Sequence, residues 1–172
     1  SMSINTSEFR DILSEFASGV TVVTGHYENS NHAATMTAFC SVSLSPPRVL
    51  ICVARDSRSH KFISLGGIFA INILTSTQNQ LAKDLAQPDL EKQESYDKLQ
   101  NVPFTTAITG APILSESQGF IDCVIIESVD IGDHTVFFGE PKAIGRGESG
   151  SPLVYYKRQF GQFTINENHI AT

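Results

Sequence analysis

Tryptophan is absent from this 172-residue sequence, which removes one common stacking partner for a flat ligand ring, although its 11 Phe remain. Cysteine is scarce: Cys40, Cys52 and Cys123 form an odd set without a C-x-x-C pair. That argues against a disulfide framework and for reduced thiols in a cytoplasmic protein. All three sit in apolar stretches, so they read as small buried hydrophobes. His26, His32, His60, His134 and His169 show neither H-x-H nor H-E-x-x-H spacing, so no metal site is expected. No apolar run approaches the ~18 residues of a membrane helix. The start of the chain lacks a charged stretch followed by an apolar one, so no secretory signal is expected. Ser1-Met2 reads as an expression scar ahead of the natural start.

A basic stripe is missing too. The net charge is −6 with the acidic residues dispersed, a poor match to nucleic acid, whose affinity comes largely from phosphate neutralisation. There is no G-x-S-x-G, no Ser/His/Asp or Cys/His arrangement, and no carboxylate pair suited to glycoside chemistry. Such absences are compatible with redox chemistry between organic cofactors, where the protein supplies position and electrostatics.

What is present fits one domain over residues 1–172, long enough to bury about two-thirds of its unfolded surface. Phe9, Ile12, Leu13 and Phe16 recur at helical spacing and share one face of a first helix. Asn5 with Glu8 resembles a capping box, and Gly19 is the expected stop. The β-branched run Val20-Thr21-Val22-Val23-Thr24 predicts a strand. Residues 33–44 read as one strand, closed by Ser45-Pro46-Pro47. The continuous apolar run from Arg48 to Ala54 predicts a strand buried on both faces. A short helix carrying Phe62, Ile63 and Leu65 should end at Gly66-Gly67, followed by a strand over Phe69 to Leu74. A second amphipathic helix fits Thr77 to Ala86, with Leu81 and Leu85 inward and Pro88 as its stop. Residues 89–101 read as an exposed excursion. Strands over 119–129 and 134–144 should form a hairpin through Asp130-Ile131-Gly132-Asp133, and Leu153 to Tyr156 is the last strand expected. Short, numerous strands with few helices predict a mainly β fold, a small closed antiparallel barrel.

Gly145-Arg146-Gly147-Glu148-Ser149-Gly150 matches G-x-G-x-x-G literally. Ser151-Pro152 and a β-type run follow it instead of a helix, so it reads as a flexible strand connection. Other stretches carry more chemistry. Thr35-Met36-Thr37-Ala38-Phe39-Cys40-Ser41-Val42 is a strand of small and hydroxyl residues that would let a flat ligand reach the backbone; composition by itself favours an ordinary strand with Thr on its solvent face. Arg55-Asp56-Ser57-Arg58-Ser59-His60-Lys61 opens a helix, where free N–H groups, two hydroxyls and a forked cation suit a phosphate; simple capping is the alternative. Gly132-Asp133-His134 places a His beside a turn, either against a nicotinamide or half-exposed. Tyr155-Tyr156-Lys157-Arg158-Gln159-Phe160-Gly161 alternates aromatics with cations, for cofactor closure or core packing.

Taken in order, several segments resemble the flavin reductase-like family with the FMN-binding split-barrel fold. They are Gly19-Val20-Thr21-Val22-Val23-Thr24, Thr35 through Pro47, Ser57-Arg58-Ser59-His60, Phe69 through Leu74, Gly132-Asp133-His134 and Tyr155-Tyr156. The resemblance implies a closed antiparallel split β-barrel of Greek-key type with a few peripheral helices. It implies a homodimer that passes hydride from NADH or NADPH to FMN or FAD and supplies reduced flavin to a partner monooxygenase. By resemblance, Thr35, Met36 and Thr37 line the ribityl and phosphate side, and Phe39, Cys40 and Ser41 run along the isoalloxazine. Ser57, Arg58, Ser59 and His60 hold the phosphate, His134 seats the nicotinamide, and Tyr155 borders the flavin. The remaining readings are a pyridoxamine-phosphate-oxidase-like FMN oxidase, a flavin-binding or electron-carrier module without turnover, and a barrel for protein interaction alone.

Overall fold

The computed structural model describes residues 3–87 and 97–166. Asn5 starts helix α1 (Thr6–Ser14), its side-chain oxygen accepting the Ser7 and Glu8 N–H groups at 2.9 and 3.1 Å and so satisfying donors that a helix start leaves unpaired. The helix ends at Ser14, short of the expected Gly19, which lies in β1 (Ser18–Gly19). The apolar stripe of α1 faces outward, with Phe9 51%, Ile12 70% and Leu13 55% exposed, and Phe16, just past the helix end, is 81% exposed.

Four strands follow: β2 (Thr21–Tyr27), β3 (Ser30–Met36), β4 (Phe39–Leu44) and β5 (Pro47–Ala54). The single strand expected over 33–44 is thus broken at Thr37-Ala38. There the chain leaves its β2 partner, with Met36 opposite Thr21, and joins β5, with Phe39 opposite Ile51. β5 is not buried on both faces: Val49, Ile51 and Val53 are buried, while Leu50, Cys52 and Ala54 alternate with them half-exposed. Next come α2 (Arg58–Gly66), β6 (Ile68–Ile73), a 3-10 turn over Ser76–Gln78, and α3 (Asn79–Ala86). α2 ends where Gly67 takes the left-handed conformation, as the Gly66-Gly67 pair predicted. Pro88 and most of the excursion expected over 89–101 lie outside the described residues.

The remaining strands are β7 (Phe104–Thr106), β8 (Pro112–Leu114), β9 (Gly119–Ile131), β10 (His134–Arg146), β11 (Leu153–Tyr156) and β12 (Gln159–Gln162). β11 is therefore not the last, since β12 folds back on it. β9 and β10 run longer than predicted and leave Gly132 and Asp133 between them. The order β3-β2-β6-β9-β10-β5-β4 makes a seven-stranded antiparallel sheet, beside a β1-β11-β12 sheet and a β7-β8 pair.

The fold is mainly β with few helices, but the closed barrel expected from the sequence is corrected. Among the described residues no ladder joins the edge strands β3 and β4. They are successive in the chain and approach only across the Thr37-Ala38 corner, where each pairs with a different neighbour. One core cluster gathers Val23, Ile51, Val53, Ile63, Phe69, Ile71, Cys123 and Phe137, and another Val20, Val22, Leu74, Leu85, Leu114 and Leu153. Each large aliphatic or aromatic side chain fully buried there contributes about 1.5–3 kcal/mol.

The glycine-rich stretch is a strand connection, as read, but a tightly seated one. The Gly147 N–H donates to Gln118 O at 2.7 Å, and a Cβ at Gly147 would lie 1.8 Å from Ser117 O. No helix among the described residues is long and apolar enough to cross a membrane.

Candidate functional site

The turn after β5 delivers the chain to the start of α2 at the open corner of the sheet. Ser57 is the N-cap: its Oγ accepts the His60 N–H at 3.1 Å and donates to Ala54 O at 2.7 Å. Its proton is therefore engaged inside the fold. The next three side chains diverge. Arg58 lies over the Phe62 ring, 5.4 Å from its centroid. Ser59 is buried, its Oγ 2.7 Å from Nε2 of the equally buried His32 on β3. His60 turns towards β10, its Nε2 2.7 Å from Thr135 Oγ1. Thr135 in turn donates to Asp130 Oδ1 at 2.6 Å. With its one proton committed to the carboxylate, Thr135 must accept from His60, which fixes the proton on His60 Nε2.

A cavity of about 650 Å³ opens at this helix start, lined by Ala34, Thr35, Ser57, Arg58, Ser59 and Lys61 among others. Three cations (Arg58, Lys61 and Lys98) and two serines line it at the start of α2, with Asp56 as the opposing charge. Such a helix end attracts anions through its unpaired donors and the positive end of its dipole. Thr35 lines it through β3, but its hydroxyl is tied to Ala82 O at 2.7 Å. His60 does not line it, so the cradle joins Ser57, Arg58 and Ser59 without the fourth residue expected there.

Two residues further along the chain a second cavity, about 350 Å³, is bounded by Thr37, Tyr155, Arg10, Leu13, Phe16 and Arg158. An extended strand rises about 3.3 Å per residue, so Thr35 and Thr37 stand roughly 7 Å apart and carry one stretch of chain past both cavities. Met36, between them, packs its side chain on the core and offers its carbonyl to Thr21 Oγ1 at 2.7 Å. Phe39 also packs on that core. Cys40 and Ser41 are exposed on edge strand β4. For Cys40 this overturns the reading of all three cysteines as buried, because an edge strand leaves its outer face uncovered; Cys52 is half-buried and Cys123 buried.

The β9–β10 turn brings in His134. It lies opposite Ala54, and the Arg55 N–H donates to Asp133 O at 2.9 Å, so this turn sits against the chain entering α2. His134 Nδ1 is 2.7 Å from Asp133 Oδ1. That hydrogen bond holds the Asp133 carboxyl below its usual range, and the charge of Arg10 adds to the effect.

Arg10 and His32 were not singled out from the sequence. Arg10 looks like an exposed helix residue, and His32 lies far from α2 along the chain, so only the folded sheet reveals either.

Residues 13–164 match the family model described as the flavin reductase like domain, and the chain belongs to that family. The reductase component of 4-nitrophenol 4-monooxygenase/4-nitrocatechol 2-monooxygenase from Rhodococcus opacus is 33% identical over 165 residues, spanning 96% of this chain and 85% of that protein. The FMN reductase (NADH) RutF of Stutzerimonas stutzeri is 28% identical over 153 residues, 89% of this chain and 86% of RutF. Among solved structures, the NADH:FAD oxidoreductase SgcE6 of Streptomyces globisporus superposes with a TM-score of 0.86 at 28% identity, covering 96% of this chain and 99% of that one.

Proposed function

We propose that the chain is an NAD(P)H-dependent flavin reductase that supplies reduced FMN or FAD to a partner monooxygenase. The observation that carries this is the pairing of an anion cradle at α2 with a second, partly aromatic cavity along the same stretch of β3 and its corner. One accepts a phosphate and the other a flat ring, as a flavin requires. The relatives support the chemistry, since one is named an FMN reductase (NADH), one an NADH:FAD oxidoreductase, and one the reductase component of a monooxygenase.

Bound flavin supplies the hydride acceptor and the nicotinamide the donor, so the protein needs no nucleophile of its own. In this reading Arg58 and Ser59 donate to the phosphate, and Ser57 shapes the cradle by capping α2. Thr35 anchors β3 to α3 at the cavity wall, while Met36 keeps the strand seated on the core. Thr37 and Tyr155 border the ring cavity, and Phe39, Cys40 and Ser41 flank it on the far side of the corner. His134, oriented by Asp133, contacts the nicotinamide. His60 acts as a tie from α2 to β10.

Residues 1–172 work as one domain in this reading. The outward apolar stripe of α1 supports a homodimer, and the unpaired thiols support a cytoplasmic location. The test is consumption of NADH and NADPH with and without added FMN or FAD. Flavin-dependent consumption supports the proposal and names the preferred pair; tight flavin binding without consumption replaces the reductase by a flavin carrier.

A further inference from the structure

Of Thr35, Ser57, Arg58 and Ser59 on the cavity wall, Ser57 bonds Ala54 and Thr35 bonds Ala82, which leaves Ser59 and Arg58 with donors not engaged by the backbone. Both lean on one buried residue outside the cavity. His32 is 4% exposed and Ser59 5%, and His32 Nε2 lies 2.7 Å from Ser59 Oγ. The same imidazole stacks on Phe62, with 5.2 Å between centroids and 26° between planes. Phe62 is the ring beneath the Arg58 guanidinium.

We propose that His32 is a positioning residue for phosphate binding: it donates its Nε2 proton to Ser59 Oγ and leaves the serine proton for the anion. The proposal rests on the reading that this cavity holds the flavin phosphate. A hydroxyl has one proton and two lone pairs, whereas an ionised phosphate oxygen can only accept. If Ser59 gave its proton to His32, its bare lone pairs would face the anion. A donor at His32 Nε2 removes that conflict and turns the serine outward. An imidazole can serve this way as a neutral Nε2–H tautomer or as a cation, so binding requires no change of charge at His32.

The test compares affinities for FMN and for riboflavin, the same ring without the phosphate, in wild type, His32→Leu, His32→Gln, Ser59→Ala and the His32→Leu/Ser59→Ala double variant. His32→Leu should weaken FMN roughly tenfold, the scale of one hydrogen bond to a charged group, while leaving riboflavin unchanged. His32→Gln should restore FMN affinity, because its amide N–H can take the place of Nε2–H. The double variant should bind FMN no more weakly than Ser59→Ala alone. Equal losses for FMN and riboflavin, or losses that add in the double variant, would overturn the proposal. If Ser59→Ala weakens FMN and His32→Leu does not, His32 has no such role and the phosphate placement stands. If neither Ser59→Ala nor Arg58→Ala affects FMN, the phosphate placement fails and this inference with it. Should His32→Leu not fold, nitrogen NMR of histidine-labelled wild-type protein decides: saturating FMN should hold the His32 proton on Nε2, and a proton on Nδ1 with Nε2 accepting would overturn the role.

Discussion

Replacing Arg58 by alanine removes the guanidinium at the α2 cradle and its contact with Phe62 while leaving the Ser57 cap in place. A hydrogen bond to a charged group contributes about 1.5–3 kcal/mol. The cavity is open to solvent on one side and Arg58 is half-exposed, so water and salt weaken the interaction and the lower end applies. About 1.5 kcal/mol corresponds to roughly a tenfold loss of FMN affinity. The fold itself loses only the cation–ring contact, about 0.5–1 kcal/mol at a site like this. At this chain length that lowers the melting temperature by about 1–4 °C. Fluorescence titration with FMN and riboflavin, read beside thermal melts, separates the two effects. FMN affinity should fall about tenfold with riboflavin unchanged, and rising ionic strength should narrow the gap between wild type and variant. Unchanged FMN affinity, or equal losses for both flavins, would refute the placement of the phosphate at α2.

His134→Ala should raise the apparent KM for NADH several-fold, on the order of one lost hydrogen bond, with flavin affinity unchanged; steady-state kinetics beside flavin titration checks this, and the reverse pattern would misplace the nicotinamide. Gly139→Ala would put a Cβ 2.6 Å from Phe69 Cζ and 2.9 Å from Cys123 Cβ, so denaturant melts should show a loss of about 1–3 kcal/mol from overpacking. Burial, and after it the charge of Asp122, pushes the Cys123 thiol up to about 12 from 9.0. In mildly alkaline buffer, alkylation read by mass spectrometry should therefore mark exposed Cys40 in the native protein and reach Cys123 only after unfolding. Cys123's contribution to stability is therefore whole below the unfolded thiol's 9.0 and falls as pH rises towards about 12. Thr135→Val removes the His60 acceptor and should lower the melting temperature by a few degrees, the scale of one lost buried hydrogen bond.

Much of the molecule was legible where local chemistry decides. Asn5 and Gly66-Gly67 marked helix ends, and Arg55 to Lys61 a helix start, because caps act over one turn; the β-branched run after Gly19 could hardly be anything but a strand. The outward stripe of α1 was not readable as such, since helical period identifies an apolar face but not what covers it. The break at Thr37-Ala38 carries no Gly or Pro, and it arises because the two ends of one stretch pair with different neighbours. The β11–β12 hairpin was missed for a related reason. Its turn is Lys157-Arg158, both at positive φ (49° and 61°), where Asn-Gly is the usual signal. At the site, the grouping of Ser57, Arg58 and Ser59 at one helix start was visible in the chain, whereas His60 turning to Thr135 and His32 standing behind Ser59 are products of the sheet.

Hydride transfer between a flavin and a reduced nicotinamide held by one polypeptide is the reaction proposed for this chain. It is tested most directly by mixing the flavin-loaded protein with NADH or NADPH under anaerobic conditions and following the yellow flavin absorbance. Rapid bleaching is expected with at least one nucleotide, slower in His134→Ala, with the yellow colour restored on admitting oxygen. Absorbance that persists with both nucleotides, in protein that binds flavin tightly, would contradict it.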